Sequence, residues 1–281
     1  MTPTAKFADI VLPTNTYMER NDLCLGGISL FYGYMNKAIN PIGESKSHFQ
    51  IANELANRLG IHDYSNKTEE EWLREIVAGC KDITDYSTFK QQGVHKIKLA
   101  QPVVCFEDQI KDPVNHPFLT PSGKIEIYSQ EIAAMADPLL PPIPKYIESW
   151  EGPNDPLAKK YPLQLITSHT RRRAHTQFDN VPWLIELYHQ AVMINTADAR
   201  QRSIKDGDLV MIFNDRGKMV IPANVTERII PGVVDIPEGA WYNPDENGID
   251  RGGCANILTR DGSSPGGAFA CNTALVQVEK S

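Results

Sequence analysis

No stretch of this sequence approaches the ~20 consecutive apolar residues that a membrane-crossing helix needs. Its five cysteines, Cys24, Cys80, Cys105, Cys254 and Cys271, are too far apart to spell a zinc site, an iron-sulfur cluster or a redox pair. Free, mostly buried thiols are the expectation. Basic charge is scarce. The net charge of −7 argues against general nucleic-acid binding. With 281 residues, 41% of them hydrophobic and 22% charged, the chain has room for one large or two ordinary globular domains.

The most informative stretch runs from Leu163 to Gly217. Leu163-Gln164-Leu165-Ile166-Thr167 reads as a buried strand. It empties into Ser168-His169-Thr170-Arg171-Arg172-Arg173-Ala174-His175-Thr176-Gln177, a loop with almost nothing to bury. Guanidinium forks suit phosphates, and hydroxyls, amides and imidazoles can read the edge of a polar heterocycle. A loop at the end of a core strand is where a ligand would sit, although a solvated charged loop has the same composition. Val192-Met193-Ile194-Asn195 is a second strand, and Thr196 is a candidate N-cap for the helical turn that follows. Leu209–Phe213 and Lys218–Ala223 are strands joined by an Asn214-Asp215-Arg216-Gly217 turn. Some six short strands with Gly-Asp and Arg-Gly turns predict a β-barrel over residues 157–281.

The first half differs. His48–Gly60 is a predicted helix capped by Ser47, with Ile51, Leu55 and Leu59 at four-residue spacing. Thr68-Glu69-Glu70-Glu71 opens another with a capping-box pattern and an apolar face of Trp72, Leu73, Ile76 and Val77. A third short helix or turn is expected over Ser87–Gly93. Glu19 and Asp22 could be read as a carboxylate pair, but a polar turn after a core strand explains them better. Prolines then interrupt the chain, with a hairpin-like piece at Phe118–Ser129. The expected organisation is an α/β domain remnant over 1–111, a Pro-rich connector over 112–156 and the barrel over 157–281.

The run MINTADARQRSIKDGDLVMIFNDRGKMVIPANVTERIIPGVV resembles the C-terminal domain of bis-molybdopterin-guanine-dinucleotide oxidoreductases. SHTRRRAHTQFDN, EGAWYNPD and GGCANILTRDGSSP fit, in order and spacing, the branch of iron-sulfur-containing dimethyl sulfoxide reductase catalytic subunits. The resemblance implies a mixed α+β fold whose C-terminal part is a double-psi β-barrel of the aspartate-decarboxylase-like kind. It implies that TPTAKFADIVLP is an internal motif ending a strand, so that the chain is the C-terminal portion of a larger enzyme. The missing upstream portion would carry a 4Fe-4S cluster and the molybdenum ligand. The parent would be a bacterial, membrane-associated enzyme of anaerobic respiration, exported by a twin-arginine signal. It would work with an iron-sulfur electron-transfer subunit and a membrane anchor subunit, and would reduce dimethyl sulfoxide or a similar S- or N-oxide.

The implied role of this portion is to hold the bis-molybdopterin guanine dinucleotide, without a catalytic residue or metal ligand of its own and inactive alone. The pterin and guanine edges demand paired donors and acceptors, since an unsatisfied buried polar atom costs ~1–3 kcal/mol. Ser168, Thr170, Arg171, Arg173, His175 and Thr176 offer such groups, and the resemblance sets His175-Thr176 at the pterin. Asn195 and Asp198 stand where an Asn-x-x-Asp element approaches a nucleotide; Asp198 suits either guanine or the capping of its own turn. Trp241 and Tyr242 could stack on a flat ring or belong to the core. Asn256 and Asn272 complete the candidate set. The alternative is a stand-alone nucleotide- or partner-binding barrel without redox activity.

Overall fold

The computed structural model describes residues 1–25, 29–269 and 271–281. The chain forms two compact units. One is Ala8–Pro117, and the other is Phe118–Ser281 together with Met1–Phe7. Residues 112–117 of the Pro-rich stretch therefore lie in the first and 118–156 in the second.

The first unit holds a three-stranded antiparallel sheet, β1 (Asp22–Leu25), β2 (Phe31–Met35) and β3 (Val94–Lys96), in that order. Pairing runs from Asp22 opposite Met35 through Phe31 opposite Lys96. A helical turn α1 (Pro3–Phe7) precedes it in the chain, and α2 (His48–Arg58), α3 (Glu69–Ala78), α4 (Tyr86–Gln92) and α5 (Glu107–Lys111) lie between or after the strands. Ser47 caps α2 and Thr68 caps α3, each in a full capping box with Gln50 and Glu71. Gly93, at φ 75°, ends α4 in the left-handed conformation that glycine adopts without strain. Helix α5 stops at Asp112, the residue before Pro113, where the proline ring disfavours helical backbone. Tyr34, Leu73, Val77 and Phe89 form the small core. The apolar face expected on α3 is only half buried: Leu73 and Val77 face inward, while Trp72 and Ile76 stay exposed. Ile10-Val11-Leu12 is exposed and forms no strand.

The second unit is built on a closed barrel of six strands: β4 (Leu163–Ile166), β5 (Val192–Asn195), β6 (Leu209–Phe213), β7 (Lys218–Thr226), β8 (Val233–Asp235) and β9 (Ala274–Lys280). Their order around the barrel is β4-β8-β5-β7-β6-β9. The β4–β8 and β5–β7 pairs are parallel and the other pairs antiparallel. This is the double-psi arrangement the resemblance implies. Closure leaves no strand edge exposed.

The interior follows the two-residue period of a strand. Leu163 and Leu165, Val192 and Ile194, Val210 and Ile212, Met219, Ile221 and Ala223, and Ala274, Val276 and Val278 all point inward and are buried. At roughly 1.5–3 kcal/mol for each fully buried Val, Leu, Ile or Met, this cluster is the main source of stability. Helices α6 (Gln130–Met135), α7 (Pro182–Leu187) and α8 (Thr196–Gln201) are short. The N-cap of α8 is Asn195, not Thr196: its side chain accepts from the Ala197 N–H, and Thr196 is already helical. Phe118–Ser129 holds turns and no paired strands: the Phe118 N–H donates to the Gly123 carbonyl, the Gly123 N–H to the Thr120 carbonyl and Thr120 Oγ1 to the Lys124 carbonyl, while the Ser129 N–H reaches the Pro142 carbonyl.

Candidate functional site

The loop after β4 does two separate jobs. Part of it is frame. Arg173, whose side chain is 1% exposed, sends Nε and one terminal nitrogen to the Glu238 carbonyl, another to Asp179 Oδ1 at 2.9 Å, and a bond to Gln190 Oε1 at 2.8 Å. Burial pulls its guanidinium below the ordinary value, and Asp179 opposes that. Arg172 is also buried, bonded to the Tyr188 carbonyl and to Asp179. Asp179 is thus shared by two arginines, and its second oxygen accepts the Trp241 N–H at 2.9 Å. Ser168 donates its hydroxyl to Asp235 at 2.6 Å and its N–H at 2.9 Å.

The rest of the loop faces outward. His169 and His175 are each 75% exposed at the side chain, and both lie beside the Glu238 carboxylate. These three groups stand on the wall of a cleft of about 780 Å³. Its lining also includes Thr167, Asn256, Thr259, Arg260 and Asn272. Asn272 fixes the cleft's floor, its Oδ1 accepting the Thr167 N–H at 2.6 Å and hydroxyl at 3.1 Å. Among the described residues its NH₂ group has only a weak 3.6 Å contact to Cys271 Sγ. Arg260 lies over the Trp150 ring at 4.5 Å, a cation–π contact that holds the guanidinium without using its N–H donors. The cleft therefore combines uncommitted donors and acceptors with a guanidinium.

Backbone geometry fixes this wall. His175 has φ 55°. Its carbonyl lies where a Cβ on Gly239 would be, and Gly239 itself has φ 87°. Only glycine allows the two loops to approach so closely. The Glu238 N–H donates to the Ser168 carbonyl at 2.9 Å, tying the same loops again. Beyond Trp241, Asp250 is fully buried and accepts the N–H groups of Asn243, Gly252, Gly253 and Cys254 at 2.6–3.0 Å. That carboxylate ties the two ends of the segment 243–254 together, while Asp245 accepts the Asn247 and Ile249 N–H groups between them.

The sequence candidates thus separate. His175, Asn256 and Asn272 line the cleft. Thr170 and Thr176 sit in the same loop, Thr176 accepting the Trp241 indole N–H at 2.7 Å. Arg171 is exposed, with no hydrogen bond or ion pair among the described residues. Tyr242 stacks on Phe7 at 6.5 Å. Ser168, Arg173, Asn195 and Asp198 are framework: Asn195 caps α8 and holds the Ile229 carbonyl at 2.7 Å, and Asp198 accepts the Gly232 N–H at 2.7 Å. Sequence reasoning missed His169, Glu238, Thr259 and Arg260. Glu238 and Arg260 lay inside quoted motifs, but nothing local separates a lining residue from a neighbour. Glu19 is framework as well. It accepts the Thr16 and Ile42 N–H groups at 2.7 Å, which hold its carboxyl down at about 2.

Residues 163–271, which contain all of the cleft but Asn272, match the molydopterin dinucleotide binding domain, and residues 1–58 match the molybdopterin oxidoreductase family. The chain thus carries two segments that match domains of molybdopterin oxidoreductases. It is 40% identical over 298 residues to the dimethyl sulfoxide reductase DmsA of Escherichia coli strain K12, covering 100% of this chain and 37% of that protein. It is 37% identical over 312 residues to the trimethylamine-N-oxide reductase of Haemophilus influenzae, covering 99% and 37%. The chain therefore spans little more than a third of the length of these curated relatives. Among solved structures, acetylene hydratase from Pelobacter acetylenicus superposes with a TM-score of 0.78 over 100% of this chain and 39% of that one. At 21% identity that likeness shows the fold. No described helix of this chain is long and apolar enough to cross a membrane.

Proposed function

We propose that the cleft walled by His169, His175 and Glu238 receives a molybdopterin guanine dinucleotide, and that the whole protein reduces dimethyl sulfoxide or a related S- or N-oxide. The observation that carries this reading is the concentration of uncommitted polar groups in one cleft of a dinucleotide-binding domain. A pterin edge carries alternating donors and acceptors, and a diphosphate wants a guanidinium or backbone N–H groups. The free imidazole edges, the Asn256 amide and the Asn272 NH₂ group suit the first. Arg260, held by its ring face with its donors unspent, suits the second. Thr170, Arg171, Thr176, Trp241 and Tyr242 are further candidates for contacts to the dinucleotide. The donor set therefore fits the group.

When bound, the cofactor supplies oxygen-atom and two-electron chemistry at molybdenum. The residues of this chain bind it, orient it and keep water from its edges. Ser168, Arg173, Asn195 and Asp198 act one step back, holding the loops that carry the contacts. The 4Fe-4S cluster and the molybdenum ligand belong to the remaining portion of the polypeptide. An iron-sulfur subunit, a membrane anchor subunit and export by a twin-arginine signal complete the proposed enzyme. By itself the 281-residue chain turns over no S- or N-oxide.

The test uses the protein at the length of its relatives, with His175→Ala, Asn272→Ala and Arg260→Ala combined. Expected are a native thermal melt and a molybdenum and pterin content reduced at least tenfold. Full cofactor content in the triple variant would overturn the assignment.

A further inference from the structure

His169, His175 and Glu238 have a second property that pterin recognition does not require. Their side-chain nitrogens and carboxylate oxygen all lie within 4.8 Å of one another. Glu238 Oε1 is 3.4 Å from His169 Nδ1 and 3.3 Å from His175 Nδ1. Charge-assisted N–H···O bonds close to about 2.7–2.9 Å, so these separations are long for ion pairs. They are the separations of ligands around a tetrahedral metal. With metal–nitrogen and metal–oxygen bonds of about 2.0–2.2 Å, the edge of a tetrahedron is about 3.3–3.6 Å. An octahedral site with the same bonds would need edges of about 3.0 Å. The imidazole rings are 5.2 Å apart at their centroids and 65° from coplanar, so modest rotation of two exposed side chains closes the remaining edge.

The loops carrying the three ligands are already fixed. Ser168 and Glu238 are joined backbone to backbone, His175 is pressed against Gly239, and Arg173 grips the Glu238 carbonyl. A preorganised site loses little on binding. Two imidazoles and one carboxylate suit a borderline cation and leave a fourth position open to the cleft.

We propose that His169, His175 and Glu238 form a three-ligand site for a tetrahedral divalent cation, Zn²⁺ being the best fit, in the cofactor-free chain. The fourth position faces the cleft and takes water or an anionic oxygen. This goes beyond the cofactor reading. Because His175 serves both, a bound cofactor and a bound cation exclude each other.

The experiment is isothermal titration of the 281-residue chain with Zn²⁺ alone, compared with Glu238→Gln and His169→Gln. Among the described residues neither side chain makes another hydrogen bond or ion pair, and circular dichroism checks that both variants fold. One Zn²⁺ per chain is expected, with binding weakened tenfold or more in each variant, since even outer-shell changes around metals cost about 10–100-fold. His116→Gln and His189→Gln, at exposed histidines elsewhere in the chain, are expected to bind as the unaltered chain does. No saturable binding would overturn the proposal, as would unaltered affinity in Glu238→Gln and His169→Gln. Neither result bears on cofactor retention, which the triple variant tests separately.

Discussion

Arg173→Ala separates a framework role from a ligand-binding role more sharply than any other single change. The side chain is 1% exposed and bonds to Asp179, Gln190 and the Pro237 and Glu238 carbonyls. Its loss leaves the Glu238 carbonyl and Gln190 Oε1 without this donor, the Pro237 carbonyl with Gln190 alone, and Asp179 with one arginine in place of two. Breaking a buried ion pair from one side costs about 3–5 kcal/mol, because the remaining charge stays buried. Unpaired carbonyls add to this, but the space vacated by a guanidinium admits water, which limits the total to about the same range. For a unit of this size each kcal/mol lowers the melting temperature by about 2–4 °C, so a fall on the order of 10 °C is expected. Differential scanning calorimetry of the 281-residue chain reads it, and the transition of Ala8–Pro117 should be unmoved. Arg260→Ala serves as the contrast, since its guanidinium only lies over Trp150, and its melt should shift by no more than a few degrees. An Arg173→Ala chain that melts with the wild type would refute the framework assignment and return Arg173 to the ligand contacts.

Gly239→Ala should lower stability by about 2–3 kcal/mol, since the added carbon collides with the His175 carbonyl at a positive φ; a urea midpoint unchanged from wild type would contradict the close approach. Glu19 sets an acid limit on the first unit. Its folded carboxyl lies at about 2, below the ordinary 4.5, because Thr16 and Ile42 donate to it. The stability it contributes is therefore complete above pH 4.5 and is lost as pH falls toward 2. The unfolding midpoint of Glu19→Gln should lie below wild type at neutral pH and converge with it across that interval; a constant gap would count against the assignment. Burial also pushes the Cys254 thiol up, so it should react with a thiol reagent far more slowly than exposed Cys24 and Cys105.

Much of the barrel was legible because its signal is local. The inward residues Leu163 and Leu165, Val192 and Ile194, and Val210 and Ile212 alternate strictly, and alternation is what a half-buried strand imposes. Helix ends were legible for the same reason: Ser47, Thr68 and Gly93 act on neighbours within four residues. Even so, the cap of α8 fell one residue away, since Asn195 and Thr196 are both competent caps and the strand's length decides between them.

The candidate site was legible as a region and not residue by residue. In Arg171-Arg172-Arg173 the three side chains look alike, yet one is exposed and two are buried. What distinguishes them is Asp179, Gln190 and the Glu238 carbonyl, and the last of these is 65 residues away from Arg173. Asp250, which ties the two ends of the segment 243–254 together, gave no sign of its burial either. A carboxylate that collects backbone N–H groups is fixed by the path of the chain around it, and no short motif encodes that path.

The measurement that tests the central claim most directly is histidine modification by diethyl pyrocarbonate in the protein at the length of its relatives, with and without cofactor. His169 and His175 are each 75% exposed on the cleft wall in this chain. The account predicts that cofactor loading slows their modification at least tenfold while His116 and His189 react at unchanged rates. Equal reactivity of His169 and His175 in the loaded and cofactor-free forms would contradict it.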